Sequence, residues 1–264
     1  MINKEILVSI ITPVFNGERF LEKNILSIKN QCYTNVEHII IDGGSIDGTL
    51  DIIKKYEKDY NLRWISEKDD GMTDAMNKGF NMANGDIVAW LDADNYYSLE
   101  IIDKVVDIFK QNSQVDFVYG NVDIVNDINN IEYNYKPPQK ISFKNALIYT
   151  TGAIPPQPGV FFKKEIYVKS GGFNIKYKIA GDYDFWVKVL KINPTGYYYD
   201  VTFGSYKKVE NAASQSLKGF FEGFREVMMI GNENKMSFRG KITTYKKYFI
   251  GYLSLLKKYL ISRI

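Results

Sequence analysis

Along the first half of the chain, apolar runs of strand length alternate with segments whose apolar residues recur every three or four positions. Residues 6–12 read as a first strand, and Phe20, Leu21, Ile25 and Ile28 follow at helical spacing. Residues 36–41 give a second buried strand that ends at Asp42, before a loop containing Gly43, Gly44 and Gly48. Leu50, Ile52, Ile53 and Tyr56 suit a helix, residues 62–65 a third strand, and residues 75–82 a helix closed by Asn84-Gly85. A fourth strand over residues 87–91 runs straight into Asp92-Ala93-Asp94, and Ile101, Ile102, Val105, Val106 and Phe109 mark the next helix. Strands alternating with helices in this way predict βαβ units, hence an α/β fold with a central, mostly parallel sheet flanked by helices.

The second half is less regular. Residues 117–119 and 160–162 look like strands, residues 126–130 form an Asn-rich turn, and Pro137-Pro138 and Pro155-Pro156-Gln157-Pro158 punctuate loops. Tyr183, Trp186, Val187 and Leu190 give a helix opening near Asp182, and Leu217, Phe220, Phe221, Phe224, Val227 and Met228 form a further amphipathic stripe. The organisation expected is one domain over residues 1–215, its ligand-binding half about 1–120 and its second half about 121–215. A helical extension covers 216–264.

Composition narrows the function. With 264 residues, 45% of them hydrophobic and 25% charged, the chain can bury a sizeable core, which excludes disorder and collagen-like sequence. A net charge of +3 is too small to argue for nucleic acid. One cysteine, Cys32, and one histidine, His38, cannot build a His/Cys zinc cage. No apolar stretch reaches the roughly 20 residues of a membrane-spanning helix, and no cleavable leader is recognisable, so the location expected is cytoplasmic.

In an open parallel sheet, the loops after the strands line the ligand crevice. Four polar sets qualify: Thr12-Pro13-Val14-Phe15-Asn16, Asp42, Asp69-Asp70-Gly71 and Asp92-Ala93-Asp94. Several acids with no basic run beside them favour a divalent cation of the Mg²⁺ or Mn²⁺ type, which is commonly shared with substrate phosphates, so a nucleotide diphosphate fits. A second Asp-x-Asp, at Asp182-Tyr183-Asp184, opens a helix, where Asp182 can serve either as a cap bonded to first-turn amides or in catalysis.

Two stretches, Val8-Ser9-Ile10-Ile11-Thr12-Pro13-Val14-Phe15-Asn16 and Ile41-Asp42-Gly43-Gly44-Ser45-Ile46-Asp47-Gly48-Thr49, resemble the opening of family 2 glycosyltransferases of the GT-A (Rossmann-like) fold. Ser66 to Gly79, Gly85-Asp86 and Leu91-Asp92-Ala93-Asp94 continue the likeness in the family's order, over about residues 6–192.

The resemblance implies an inverting glycosyltransferase, hexosyl or N-acetylhexosaminyl, that carries a sugar from a nucleotide-diphosphate donor, most simply UDP-linked. The acceptor implied is a hydroxyl of a glycan or lipid-linked oligosaccharide, as in bacterial polysaccharide synthesis. By the same resemblance the first loop and Asp42 hold the base, Asp92 contacts ribose, and Asp94 binds the metal with Asp92 nearby. Asp70, Gly71, Asn77 and Lys78 would contribute to nucleotide binding, Lys78 as a phosphate partner unless it is a solvated helix lysine. Asp182 matches the second acid of the family's Glu-Asp pair and is the implied general base, with Gly181 replacing the first acid. Asp184 competes for that role. Gln157 and Trp186 fall in segments flanking the acceptor, although loop and core roles suit them as well. Two other classes stay open: a nucleotide-sugar binding protein without catalysis, and a nucleotidyltransferase. The latter would want a Gly-rich basic loop where this chain has Pro13-Val14-Phe15-Asn16.

After Glu233 the chain carries eight basic and no acidic residues, and Ile242, Tyr245, Phe249, Tyr252, Leu253, Leu256, Tyr259 and Leu260 recur at helical spacing. Residues 241–264 therefore suit a peripheral contact with an anionic membrane surface. Packing on the domain, or on a second subunit of an oligomer, suits the same stripe, with Gly251 permitting close approach.

Overall fold

The computed structural model describes residues 5–148, 154–208 and 216–261, with side chains as far as residue 253. Strand β1 (Val8–Val14) lies between β2 (Val36–Asp42) and β4 (Ile87–Trp90), and β3 (Leu62–Ser66) flanks β2, all four parallel. Helices α1 (Leu21–Lys29), α2 (Thr49–Tyr56) and α3 (Met72–Met82) make the crossovers. β1 and β2 are buried throughout because these helices cover both faces of the sheet. Alternation along β2 sends Ile39 and Ile41 into one core with Met76 and Phe80, and Ile40 into another with Leu21, Ile25 and Ile53. The parallel register also brings four strand ends to one edge, as the pattern predicts.

Beyond β4 the sheet becomes mixed. Strand β5 (Tyr96–Tyr97), helix α4 (Ile101–Gln111), β6 (Phe117–Val125), β7 (Ile131–Tyr135), α5 (Phe143–Leu147), β8 (Val160–Lys163), α6 (Lys164–Ser170), α7 (Gly181–Lys191) and β9 (Gly196–Lys207) follow. Among the described residues nine strands run in the order β3-β2-β1-β4-β8-β6-β9-β5, with β7 on β6. β8 is antiparallel to both β4 and β6, whereas β9 is parallel to β6 and antiparallel to β5. The Asn-rich turn joins β6 to β7, where the Asn126 side chain accepts from the amides of Ile128 and Asn130.

Strand β9 has no alternating apolar pattern, because it pairs across register shifts at Gly120 and Asn121 and its faces differ in exposure. The Tyr197-Tyr198-Tyr199 run therefore belongs to a strand, with Tyr198 donating to Asn121 at 2.7 Å. Trp186 is likewise a core residue. It is 1% exposed among Trp90, Phe117, Phe162 and Phe185, which corrects its expected acceptor role.

Helix α8 (Leu217–Glu233) is joined to this core. Val227 and Ile230 pack in the same cluster as Trp186 and Leu190, and buried Glu226 accepts from the amides of Lys178, Ile179 and Ala180, the segment leading into α7. Helix α9 (Phe238–Ile261) lies against α8, and the Thr244 hydroxyl donates to the Ile148 carbonyl. The side chains of Leu256, Tyr259 and Leu260, and residues 262–264, lie outside the described residues.

Candidate active site

The edge where β1 and β4 end opens into a cavity of about 540 Å³, lined by Pro13, Val14, Phe15, Asn16, Gly17, Phe20, Asp69, Gly71, Met72, Ala75, Asp92, Ala93 and Asp94. The loops after β1 and β2 brace each other around it. The Ser45 hydroxyl accepts from the Asn16 amide at 2.7 Å, Asn16 accepts from the Ile46 amide at 3.0 Å, and Asp47 accepts from the Glu18 amide at 3.1 Å. Thr49 accepts from the Gly17 amide at 2.8 Å. This network holds Phe15, 65% exposed, at the rim as an aromatic face for a planar ligand.

Asp42 supports that loop from behind. It is fully buried, and its carboxylate accepts from the amides of Gly44 and Ser45 and from the hydroxyls of Ser45 and Ser66. Thr12 is also buried, bonded to Asn24 at 3.4 Å and to His38 at 2.9 Å. His38 is a core residue, as its strand position implies, and burial drives its imidazole pKa down to about 3.

At the third strand end, Gly71 takes φ +104°, a backbone conformation that suits glycine, and starts α3 at the cavity wall. Asp69 accepts from the Gly71 amide at 2.8 Å and lines the cavity, whereas Asp70 is exposed and contributes its carbonyl to Lys178. Met72 and Ala75 present the first turn of α3, with its partial positive charge, to the same space.

The strand-end pair carries the strongest electrostatic signature. The turn from Asp92 to Asn95 is fixed by Asn24, whose amide donates to the carbonyls of Asp92 and Asn95 at 3.0 and 3.1 Å, and by Asn95, which accepts from the Lys207 amide. Burial raises the Asp92 carboxyl well above the usual range, and the charges of Asp94 and Asp182 raise it further. One buried oxygen of Asp92, Oδ1, has no hydrogen-bond partner. Asp94 is raised by burial, against its own backbone amide and Lys207. Burial, followed by the charges of Asp92, Asp94 and Asp182, pushes Tyr206 up to about 12. These groups share one strongly anionic space. Two carboxylates, one with an unpartnered oxygen, fit a hard divalent cation whose remaining ligands come from a bound phosphate. Among the described residues no third His, Cys, Asp or Glu completes a cation cage without it.

Asp182 stands one residue into α7, not at the capping position, which is Ala180 and has no side-chain cap. Its carboxylate accepts from the Tyr183 amide at 2.7 Å. The residue is exposed at the surface, yet neighbouring protein desolvates its carboxyl and raises its pKa against the amides of Tyr183 and Asp182, and its charge reaches Asp92. Gly181 accounts for the close approach of α7 to α3. A Cβ there would lie 2.2 Å from Cγ2 of the β-branched Thr73, so a glutamate could enter only if Thr73 moved.

Several residues singled out in the sequence do not reach the cavity. Asp184 turns into the core, 3% exposed, and pairs with Lys188 at 2.9 Å, which removes it as a competitor of Asp182. Lys78 is held by Glu67 at 2.7 Å and Asp74 at 3.2 Å, so a bound phosphate would have to displace two carboxylates. Asn77 ties α3 to Phe173 and Tyr167, and Gln157 braces the strand end through the Trp90 carbonyl at 2.7 Å and Asn95 at 3.2 Å. Thr12, Asp42, Asn77 and Gln157 are thus supports behind the cavity, and Lys78 is held in surface ion pairs. Sequence reasoning missed Phe20, Asn24, Tyr206 and Lys207. Asn24 had a signal, being a polar residue on the stripe of Leu21, Ile25 and Ile28; the others depend on β9 and loop packing.

A helix-covered α/β sheet whose strand ends gather desolvated carboxylates around a cavity is the arrangement of the GT-A fold. The chain belongs to glycosyl transferase family 2, whose sequence profile matches residues 9–170. An uncharacterized glycosyltransferase of Haemophilus influenzae is 37% identical over 117 residues, 44% of this chain and 46% of that protein. A PGL/p-HBAD biosynthesis glycosyltransferase of Mycobacterium bovis is 28% identical over 205 residues, 76% of each chain. The chain spans 46%, 63% and 56% of the length of three uncharacterized glycosyltransferases it matches. Among solved structures, S. aureus TarS in complex with UDP-GlcNAc superposes with a TM-score of 0.68 at 20% identity, over 85% of this chain and 66% of that one. PcManGT of Pyrobaculum calidifontis, in complex with GDP-Man and Mn²⁺, superposes with a TM-score of 0.63 at 18% identity, over 96% and 76%.

Proposed function

We propose that the chain is an inverting glycosyltransferase that moves a sugar from a UDP-linked donor to a hydroxyl of a glycan or lipid-linked acceptor. The observation that carries this reading is that Asp92, with its unpartnered oxygen, and Asp94 line a cavity in a family 2 chain, with Asp182 near enough for its charge to raise Asp92. The ligands of the two structural relatives, UDP-GlcNAc and GDP-Man with Mn²⁺, support a nucleotide-sugar donor and a divalent ion. A cavity of about 540 Å³ has the capacity for such a donor.

In this reading Phe15 stacks on the base, the rim loop and Gly71 receive the nucleoside, and Asp92 meets the ribose. Asp94, with Asp92, would hold Mn²⁺ or Mg²⁺ against the diphosphate; when bound, the ion neutralises charge on the leaving group. The first turn of α3 adds its partial positive charge beside the same leaving group. Asp182 takes the acceptor proton as the acceptor oxygen bonds to the anomeric carbon and the carbon–diphosphate oxygen bond breaks on the opposite face. A desolvated carboxylate is a stronger base than one in water, which suits it to an alcohol. One displacement turns an α-linked donor into a β-linked product.

The test is release of nucleoside diphosphate from UDP-, GDP- and dTDP-sugars with Mn²⁺. Asp94→Ala and Asp182→Asn should each lower turnover by about a hundredfold or more. Donor binding by calorimetry should fall in Asp94→Ala and persist in Asp182→Asn. Equal turnover in wild type and Asp182→Asn would remove the base assignment, and binding without turnover for any donor and acceptor would favour a binding protein.

A further inference from the structure

Helix α9 has two unlike faces. Gly240, Thr244 and Gly251 mark the inner one: Gly240 and Thr244 are buried, Phe220 lies 3.1 Å from where a Gly251 Cβ would stand, and Tyr248 packs on Phe220 and Phe224. The small residues thus serve contact with α8, as the sequence allows for Gly251. The apolar stripe lies on the other side, with Tyr245 at its edge also packing on Phe224 of α8. Phe238, Ile242, Tyr245, Phe249 and Leu253 are spaced by four, three, four and four residues, which puts them on one side of a helix. They are 79%, 40%, 54%, 62% and 50% exposed, and Phe221 of α8 continues the patch at 53%.

Singly scattered surface hydrophobics do not produce such a row; a contiguous exposed apolar stripe marks an interaction surface. Its charge says which kind. Arg239, Lys241 and Lys246 accompany the stripe on α9, and the chain has no acidic residue after Glu233. A protein partner that covered the stripe would have to match an all-basic rim, whereas an anionic lipid surface offers both apolar depth and negative charge in one plane. Helix α9 is 24 residues long, and among the described residues no helix is long and apolar enough to cross a membrane, so the helix suits the interface plane.

We propose that the outer face of α9, with Phe221 of α8, is a docking surface for an anionic membrane. The inward Gly240–Thr244–Gly251 edge keeps the helix on the protein while Phe249 and Ile242 enter the headgroup region. Because α8 also holds, through Glu226, the segment that leads into Asp182, docking would fix the site's orientation to a lipid-borne acceptor.

Flotation of the full chain with vesicles tests this. Binding is expected to phosphatidylcholine vesicles containing phosphatidylglycerol, weak binding to phosphatidylcholine alone, and loss at high salt. Replacing Lys241 and Lys246 by Gln should weaken binding about 30-fold, since each basic residue near the surface is worth about 1 kcal/mol. Phe249→Ser should weaken it about tenfold. Lys246 and Phe249 are exposed and Lys241 is half-buried, and unchanged thermal unfolding and donor hydrolysis in solution would show both variants folded. Equal binding of wild type and both variants overturns the proposal. So does sedimentation showing a dimer that Phe249→Ser dissociates, with no vesicle binding, because the face then covers a second copy of the chain.

Discussion

Asp92-Ala93-Asp94 and Asp182-Tyr183-Asp184 have the same spacing and different fates. The first pair follows a strand, where the turn after β4 lets both carboxylates line the cavity. The second lies in the first turn of a helix, where residues two apart point about 200° from one another. Asp182 therefore stays exposed, near enough for its charge to raise Asp92, while Asp184 enters the core and meets Lys188. A sequence motif made of two acids acquires its chemistry from the backbone beneath it.

The sharpest break of this comparison is a paired substitution. Asp182→Asn should cost about 10²- to 10⁴-fold in turnover, whereas Asp184→Asn should stay within about tenfold of wild type at permissive temperature. If the two lose activity equally, the two positions are not functionally distinct. The pH profile sharpens the same point. Burial raises the Asp182 pKa, and a base works only when deprotonated, so turnover should fall on the acid side, from a pH above the ordinary aspartate range of about 3.9. In Asp182→Asn the part of that acid limb due to Asp182 should be lost, and what remains should follow protonation of Asp92 and Asp94.

Stability should sort the pairs in the reverse order. Lys188→Met leaves Asp184 buried beside no cation, and chemical denaturation should show a loss of about 3 kcal/mol with donor binding retained. Asp92 is the opposite case. Its folded pKa is raised, so the folded state favours its proton; the stability it contributes is present in acid and lost as pH rises through the folded pKa. Asp92→Asn should therefore raise stability near neutral pH by about 1 kcal/mol while lowering turnover, as measured by thermal unfolding without metal or nucleotide. The smallest effect is expected at Lys78. Paired at the surface with Glu67 and Asp74, it should cost less than about 1 kcal/mol when changed to Ala and leave the donor dissociation constant unchanged within threefold. A larger loss of donor affinity would return Lys78 to the phosphate.

How much of this was legible follows from the kind of contact involved. The four parallel strands and their helices were readable because local burial writes a periodic pattern, and strand ends in a parallel sheet must share an edge. The motif around Asp42 was readable as a site but not in its role: its carboxylate is spent on Gly44, Ser45 and Ser66, and the loop it shapes carries Asn16 and Phe15 to the cavity. Strand β9 was not legible, since register shifts erase its alternation, and with it Tyr206 and Lys207 were missed.

The amino-acid sequence by itself determined the α/β alternation, the family likeness, the strand-end carboxylates and the apolar stripe with its basic rim, because each is a local pattern or an ordered motif. Tertiary structure decided that both acids of the strand-end pair line the cavity while the helical pair is split, that Trp186 and Asp184 belong to the core, that Lys78 is already paired, and which face of α9 is left outside. Those outcomes depend on contacts between residues far apart in the chain, such as Gly181 with Thr73 and Gly251 with Phe220, where the space available to one side chain is set by the shape of another.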